Sequence, residues 1–518
     1  MYFITSTAFN NIKKDASNNE YVNICDNKHV LLDLYSNEYI KVVSIPQHSN
    51  NIFKIYSVFG VQQKYIRYDK IIVSDTKYYL FNLRTIIKFN LTVSPKYIAL
   101  VCALGHVDIL EWWKNSGLEL TYLSSLYSWA STYGHLNVLN WLKSNKDLGF
   151  LIKTFSNELM GASHNGHIDV LDWWFNHKSE FGLTYSEHDI KDVMDSASAR
   201  GHINVLEWWF NTGLSLKYSY LSIDRASECG HINVLEWWKH SGLEFKYSYS
   251  SIDRASELGH INVLEWWKNS GYRLIYSSDA IDKASATGYV NVLEWWKNSG
   301  LILKYSNNAI DYASGRGHVN VLEWWKNSGL LLKYTSHTLD CGSENNYINV
   351  LEWWKNSELK LKYSIVAIDN TSARGHVNVL EWWKNSGLKL KYSIVTINNA
   401  SSFGCVNVLE WWKNSRLPLE YSSNAINGAS RNGYINVLEW WKNSGLKLKY
   451  DELAIINASK NKYINVLEWW KNSGLKLKYS EKVVLSNAYL NGYRDVLEWW
   501  ANSGLKLKKK YYDLYIKN

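Results

Sequence analysis

Apolar and polar positions follow one another in a block that returns along most of this chain. From Gly375 to Phe403 the order is GHVNVLEWWKNSGLKLKYSIVTINNASSF, and the block restarts at Gly404. Val377 to Lys384 has helical spacing. At about 100° per residue, Val379, Leu380 and Trp383 share one face, and Asn378, Glu381 and Asn385 share the other. Trp382 falls on the flank of the apolar face. Asn385-Ser386-Gly387 ends this helix, because Gly387 suits the left-handed terminal position. Leu388-Lys389-Leu390-Lys391-Tyr392 alternates, which predicts an extended segment with leucines and tyrosine inward and lysines outward. Ser393 is the predicted N-cap of a second, shorter helix through Ser402, with Ile397 and Ala400 facing the core.

The second Trp of each pair recurs at 209, 238, 267, 296, 325, 354, 383, 412, 441 and 470, a step of 29 residues. Trp113, Leu142, Trp174 and Trp500 extend the series to 14 copies. Of the 28 tryptophans only Trp129 lies outside this slot. A lone block cannot fold: ordering each residue costs roughly 1.5 kcal/mol, and each large apolar side chain returns only about 1.5–3 kcal/mol. Stacked neighbours must supply the rest, which predicts a mainly α helical-repeat solenoid. The core should be the second indoles, Trp238, Trp267, Trp296, Trp325, Trp354, Trp383, Trp412, Trp441 and Trp470.

The unit resembles the ankyrin repeat. The stretch Ala309-Ile310-Asp311-Tyr312-Ala313-Ser314-Gly315-Arg316-Gly317-His318-Val319-Asn320-Val321-Leu322 matches that family's first helix, Gly-His turn and second helix. The Trp pair stands for the family's Leu-Leu, and Gly329-Leu330-Leu331-Leu332 for its Gly-Ala-Asp-Val. The Thr-Pro opening is missing, and the period is shorter, at the expense of the hairpin loops. The Trp-Trp variety is similar to ankyrin-repeat proteins of giant, mimivirus-type DNA viruses. The resemblance spans about residues 94–505 and implies a scaffold that binds another protein, such as a host factor, in the host-cell cytoplasm.

Residues 1–77 carry no repeat; Val30–Leu34, Tyr39–Val43 and Ile52–Tyr56 read as short strands of a small β-containing domain. Residues 78–93 are a candidate N-terminal cap, with Ile86-Ile87-Lys88 in the Trp-Trp-Lys slot. Ser94-Pro95 marks the first clear helix start. Extra loop residues are expected near Lys146–Lys153 and His177–Asp189, and 506–518 as a basic C-terminal cap. Neither a signal peptide nor a membrane span is expected. The five scattered cysteines read as free thiols.

Net charge changes the picture at one end. Residues 399–518 hold 18 Lys and Arg against 10 Asp and Glu, a balance of +8 out of +9 for the whole chain. The lysines of the extended segments, Lys389, Lys391, Lys447, Lys449, Lys476, Lys478, Lys506 and Lys508, are therefore candidate partner contacts. Repeats stand roughly 10 Å apart, near one Debye length, so their fields partly sum. Nucleic acid or another polyanion is the alternative partner to a protein.

Other rows read as structural. His106, His135, His167, His202, His231, His260, His318 and His376 occupy a turn slot that holds Tyr or Cys in other copies; with stacked units about 8–10 Å apart they suit no single metal ion. Asp195, Asp224, Asp253, Asp282, Asp311, Asp340 and Asp369 should bond backbone amides in the neighbouring loop. The first indoles should pack on the adjacent repeat, and Glu381 should pair with Lys384. No phosphate loop or catalytic signature is present, so a monomeric, non-enzymatic scaffold without cofactor is expected. The positions between Tyr and Ile, such as Ser306–Ala309 and Ser393–Thr396, should discriminate partners. A passive product of duplication is the third reading.

Overall fold

The computed structural model describes residues 76–515 apart from 92, 119–124, 151–154 and 183–186, and, before residue 76, the backbone of six strands. The chain divides into two compact units, Met1–Ser251 and Ile252–Asn518.

The first unit opens with an antiparallel sheet of β1 (Tyr2–Thr5), β2 (Val22–Asp26), β3 (Tyr39–Ser44), β4 (Asn51–Val58), β5 (Val61–Tyr68), β6 (Ile72–Val73) and β7 (Tyr78–Tyr79). Its order is β4-β5-β2-β1-β3-β6, with β7 also on β3. Two of the three expected strands are present; Val30–Leu34 lies outside the described residues. The helix Leu83–Phe89 follows, N-capped by Asn82. Ile86 is buried and Ile87 is 57% exposed, so Ile86 takes the inward position that the slot alignment gave to Ile87. The helix Pro95–Ala103 starts as expected, Ser94 Oγ accepting from the Tyr97 amide. The longer spacing before Trp209 is partly absorbed by an extended helix, Glu187–Arg200.

The second unit holds most of the regular repeats, which begin with the helices of Trp209 and Trp238 in the first. Short inner helices such as Asn308–Gly315, Val366–Ala373 and Val395–Ser402 alternate with outer helices such as Val319–Asn327, Val377–Asn385 and Val406–Asn414. A left-handed turn residue joins each pair, glycine in most and Asn346 or Lys462 in two. Gly404 has φ +82°, and a Cβ there would lie 2.8 Å from the Tyr434 ring of the next repeat, so both conformation and space select glycine. Inner helices approach closely through small residues: a Cβ on Gly315 would sit 3.0 Å from Cys341 Cβ. Outer helices are held apart by indoles. The nine core tryptophans expected from the sequence are each 1% exposed. The unit closes with Lys509–Tyr515, a helix that the basic tail did not lead one to expect; Tyr515 packs 5.6 Å from Tyr489. Among the described residues no helix is long and apolar enough to cross a membrane.

Candidate partner-binding face

Most polar side chains of the repeat can be followed to a partner, and many of those partners lie one repeat away. Trp383 Nε1 donates to Ser343 Oγ at 2.9 Å, on His337–Glu344, the inner helix one repeat behind its own partner helix Val366–Ala373. Trp325, Trp354, Trp412, Trp441 and Trp470 do the same with Ser285, Ser314, Ser372, Ser401 and Ser430. The Ala-Ser pair therefore supplies an acceptor as well as small size.

The first indole also donates. Trp411 Nε1 reaches Glu381 Oε2 at 2.7 Å, and Asn385 Nδ2 donates to Glu381 Oε1 at 2.8 Å. These bonds hold the Glu381 carboxyl below the usual carboxylate range, the indole contributing most. The expected Glu381–Lys384 pair does not form; Lys384 lies 5.9 Å from the Trp411 ring instead. Between successive outer helices an open groove of about 450 Å³ is lined by Glu265, Lys268, Glu294, Trp295 and Asn298. It recurs at Glu294, Lys297, Glu323, Trp324 and Asn327 because the sequence recurs.

The acidic row behaves as expected. Asp369 accepts from Ser393 N at 3.0 Å, Ser393 Oγ at 2.6 Å and Thr396 Oγ1. Ser393 is not the helix N-cap: it sits two residues before Val395, whose amide it accepts at 3.1 Å, and Ile394 takes the cap. Burial pushes the carboxyls of Asp253 and Asp282 up, against the bonds from Ser277 and Ser306. Where the slot becomes Asn427, the residue in the Ser393 position becomes Asp451, and Asn427 Nδ2 donates to Asp451 Oδ1 at 2.8 Å. Donor and acceptor have exchanged places while the link persists. The histidines brace turns: His135 Nε2 meets Ala103 O at 2.9 Å, and His376 bonds the Glu344 backbone.

The lysine candidates divide. Lys391, Lys449 and Lys478 are exposed, yet each Nζ donates to a carbonyl of the preceding repeat, on Tyr363, Tyr421 and Tyr450, at 2.8–2.9 Å. Each also lies 4.2–4.5 Å over the same tyrosine ring. They staple repeats together, a use the outward alternation did not reveal. Lys389, Lys447, Lys476 and Lys506 are exposed and have no side-chain hydrogen bond or ion pair among the described residues; their backbone carbonyls accept Tyr363, Tyr421, Tyr450 and Tyr479 hydroxyls. Lys508 donates its backbone amide to Glu481 at 2.6 Å.

Of each four-residue stretch expected to discriminate partners, at most the middle pair is available, and in the first stretch Asn307 Nδ2 itself donates to Asp311 at 3.0 Å. Ser306 is bonded to Asp282, and Ala309 is buried. Ile394 and Val395 are each 41% exposed, while Thr396 is buried. Ile365 and Val366 stand one repeat earlier, at 48% and 40%. In the first unit the equivalent positions, Tyr220 and Tyr249, are exposed as well.

No protein-family model and no curated protein matches the chain. Among solved structures, the pentatricopeptide repeat protein PPR10 from maize is similar over 84% of this chain and 72% of that one, with 13% identity and a TM-score of 0.27. PPR10 in complex with an 18-nt psaJ RNA element is similar over 83% and 72%, with 11% identity and a TM-score of 0.32.

Proposed function

We propose that the chain is a non-enzymatic, intracellular scaffold that binds another protein through the N-terminal turns of its inner helices. The observation that carries this reading is the exposed aliphatic set Ile365, Val366, Ile394 and Val395 on two successive repeats. Side chains at these positions differ from repeat to repeat, whereas Trp, Glu, Asn, Tyr and the inner Lys are occupied by links between repeats. Exposed apolar side chains in a fixed array lose little entropy on docking, which favours protein contact. The ankyrin resemblance supports the same reading, and the likeness to giant-virus repeat proteins points to a host protein as partner. The test is quantitative capture from host lysate with the native chain and with Ile365→Ser/Ile394→Ser. Proteins retained by the native chain and lost by the variant at several salt concentrations are expected; identical sets from both would refute this face.

A second reading rests on the unbonded ammonium groups of Lys389, Lys447, Lys476 and Lys506. They form the part of the basic edge that is free to meet a polyanion. Replacing all four with Gln should weaken binding of a single-stranded oligonucleotide and flatten its dependence on salt, measured by fluorescence anisotropy. An unchanged slope would exclude this edge as the contact.

A further inference from the structure

The lysine of the staple is replaced at two slots, by Ile275 and by Glu420, and only Glu420 brings a charge. Lys304, Lys333, Lys362, Lys391, Lys449 and Lys478 each place Nζ 2.8–3.0 Å from the carbonyl oxygen of the tyrosine one repeat back. The same groups lie 4.2–4.6 Å from that tyrosine's ring centroid. The series therefore demonstrates a seat for a cation, built from a carbonyl oxygen and an aromatic face.

At Tyr392 the seat is built and its cation is missing. The ring stands as in the other repeats, 4.8 Å from Trp412, and its hydroxyl donates to Pro418 O at 3.2 Å. The slot that should return a lysine holds Glu420. Glu420 is exposed and makes no hydrogen bond or ion pair among the described residues. Its charge lies close enough to be felt at the Tyr392 hydroxyl. A carboxylate has thus replaced the ammonium beside an acceptor and a ring face that both favour positive charge. Two residues along the chain from Tyr392 begins the exposed pair Ile394–Val395.

We propose that Tyr392 and Glu420 receive a lysine or arginine side chain from a bound protein, whose flanking apolar residues lie on Ile394 and Val395. This rests on the protein-binding reading above and adds the chemistry of the recognised segment: one basic residue beside aliphatic ones. An arginine satisfies all three elements, because its guanidinium stacks on the ring and forks to the carboxylate and carbonyl. The lysines on either side, Lys391 and Lys449, are occupied at their own tyrosines and stand about a Debye length away.

The experiment uses an array of synthetic decapeptides, each with a central Arg, Lys, Gln or Glu flanked by Ile, Leu or Val, probed with the full chain. The tightest binder is then titrated by fluorescence polarisation. Binding should require the central Arg or Lys and fall about tenfold in Glu420→Gln and in Glu420→Lys, the second of which fills the seat internally. Glu420→Lys should also raise the melting temperature, which verifies that this variant folds. Glu358→Gln, an exposed carboxylate elsewhere on the edge, should leave binding unchanged. Affinity indifferent to Glu420 or to the peptide's cation overturns the seat. If Ile365→Ser/Ile394→Ser abolishes that same binding, the protein-binding face survives without the seat. An array on which no peptide binds overturns both.

Discussion

Replacing Ser343 with Ala tests whether the ladder of indole hydrogen bonds holds the repeats together or merely accompanies their packing. Ser343 is fully buried, Trp383 is 1% exposed, and the two meet at 2.9 Å. The substitution removes one oxygen and leaves a buried N–H with no acceptor, which costs about 1–3 kcal/mol. A value near 2 kcal/mol changes an equilibrium by roughly 30-fold. Trp383→Phe is a different perturbation, since it forfeits packed surface as well as the donor. Its serine partner need not be orphaned, because an equivalent hydroxyl, Ser285, already bonds its own helix at Ile281 O. The double variant Ser343→Ala/Trp383→Phe has neither orphan, so the cycle should show a coupling of about 1–2 kcal/mol. Guanidinium unfolding, followed by indole fluorescence and far-ultraviolet dichroism, gives the four free energies. A coupling within about 0.5 kcal/mol of zero would refute the reasoning and leave packing alone as the origin of the interface.

Three further outcomes are expected. Asp311 accepts from Thr335 N at 2.8 Å and Thr335 Oγ1 at 2.6 Å. Asp311→Ala should therefore cost about 2 kcal/mol, and Asp311→Asn under 1 kcal/mol because the hydroxyl can turn to accept, as Ser422 does from Asn398; equal losses in denaturant titration would contradict this. Lys333→Met removes a carbonyl bond and a ring contact, and should lower stability by about 1 kcal/mol in the same assay. The carboxyls of Glu323, Glu381 and Glu410 sit below their ordinary range because indoles donate to them. A lowered folded pKa stabilises above the unfolded carboxylate range, and that contribution is lost as pH falls through the folded value. The raised Asp253 and Asp282 act oppositely, their contribution disappearing as pH rises through the folded value. Converting the three glutamates to Gln should flatten the acid limb of a stability–pH curve, and a steeper limb would reverse the assignment.

The repeat, its two helices and its buried indoles were legible because apolar periodicity reports which face of an element is hidden. The Asp row was legible for a similar reason, since a short acid in a core helix needs nearby amides. The lysines were harder. Alternation tells which side of an extended segment a residue leaves from, and a long side chain can then fold back, as Lys391 does onto Tyr363. Helical spacing likewise allowed Glu381 to meet Lys384; the equivalent pair does form at Glu468–Lys471, 3.7 Å apart, although an indole donates to that Glu as well, whereas Lys384 turns toward the Trp411 ring. At the ends, where no copy exists to compare, one-residue register failed at Ile86 and the closing helix Lys509–Tyr515 was missed. The departure at Glu420 was legible, since the slot 28 residues after each tyrosine loses its lysine there and at Ile275; that the Tyr392 ring keeps its place without the lysine was not.

Uniformity along the array invites the view that the copies are idle duplicates, and the bonding pattern argues otherwise. In Leu380-Glu381-Trp382-Trp383-Lys384-Asn385, Glu381 accepts from the following repeat, while Trp382 and Trp383 donate to the preceding one. A change at any of these positions disturbs an interface, so sameness there follows from packing and says nothing about function. The pair that follows the Ser393 slot makes no link between repeats: Ile394-Val395 in one repeat corresponds to Asn307-Asn308 in another, on the same backbone, and Asn307 bonds only Asp311 of its own repeat. Writing the second pair into the first, as Ile394→Asn/Val395→Asn, should therefore leave stability within about 0.5 kcal/mol, the range of ordinary surface changes. Partner capture should fall in the same variant. A large loss of stability would mean that the exposed aliphatics belong to the fold, and that the array has nowhere left to carry recognition.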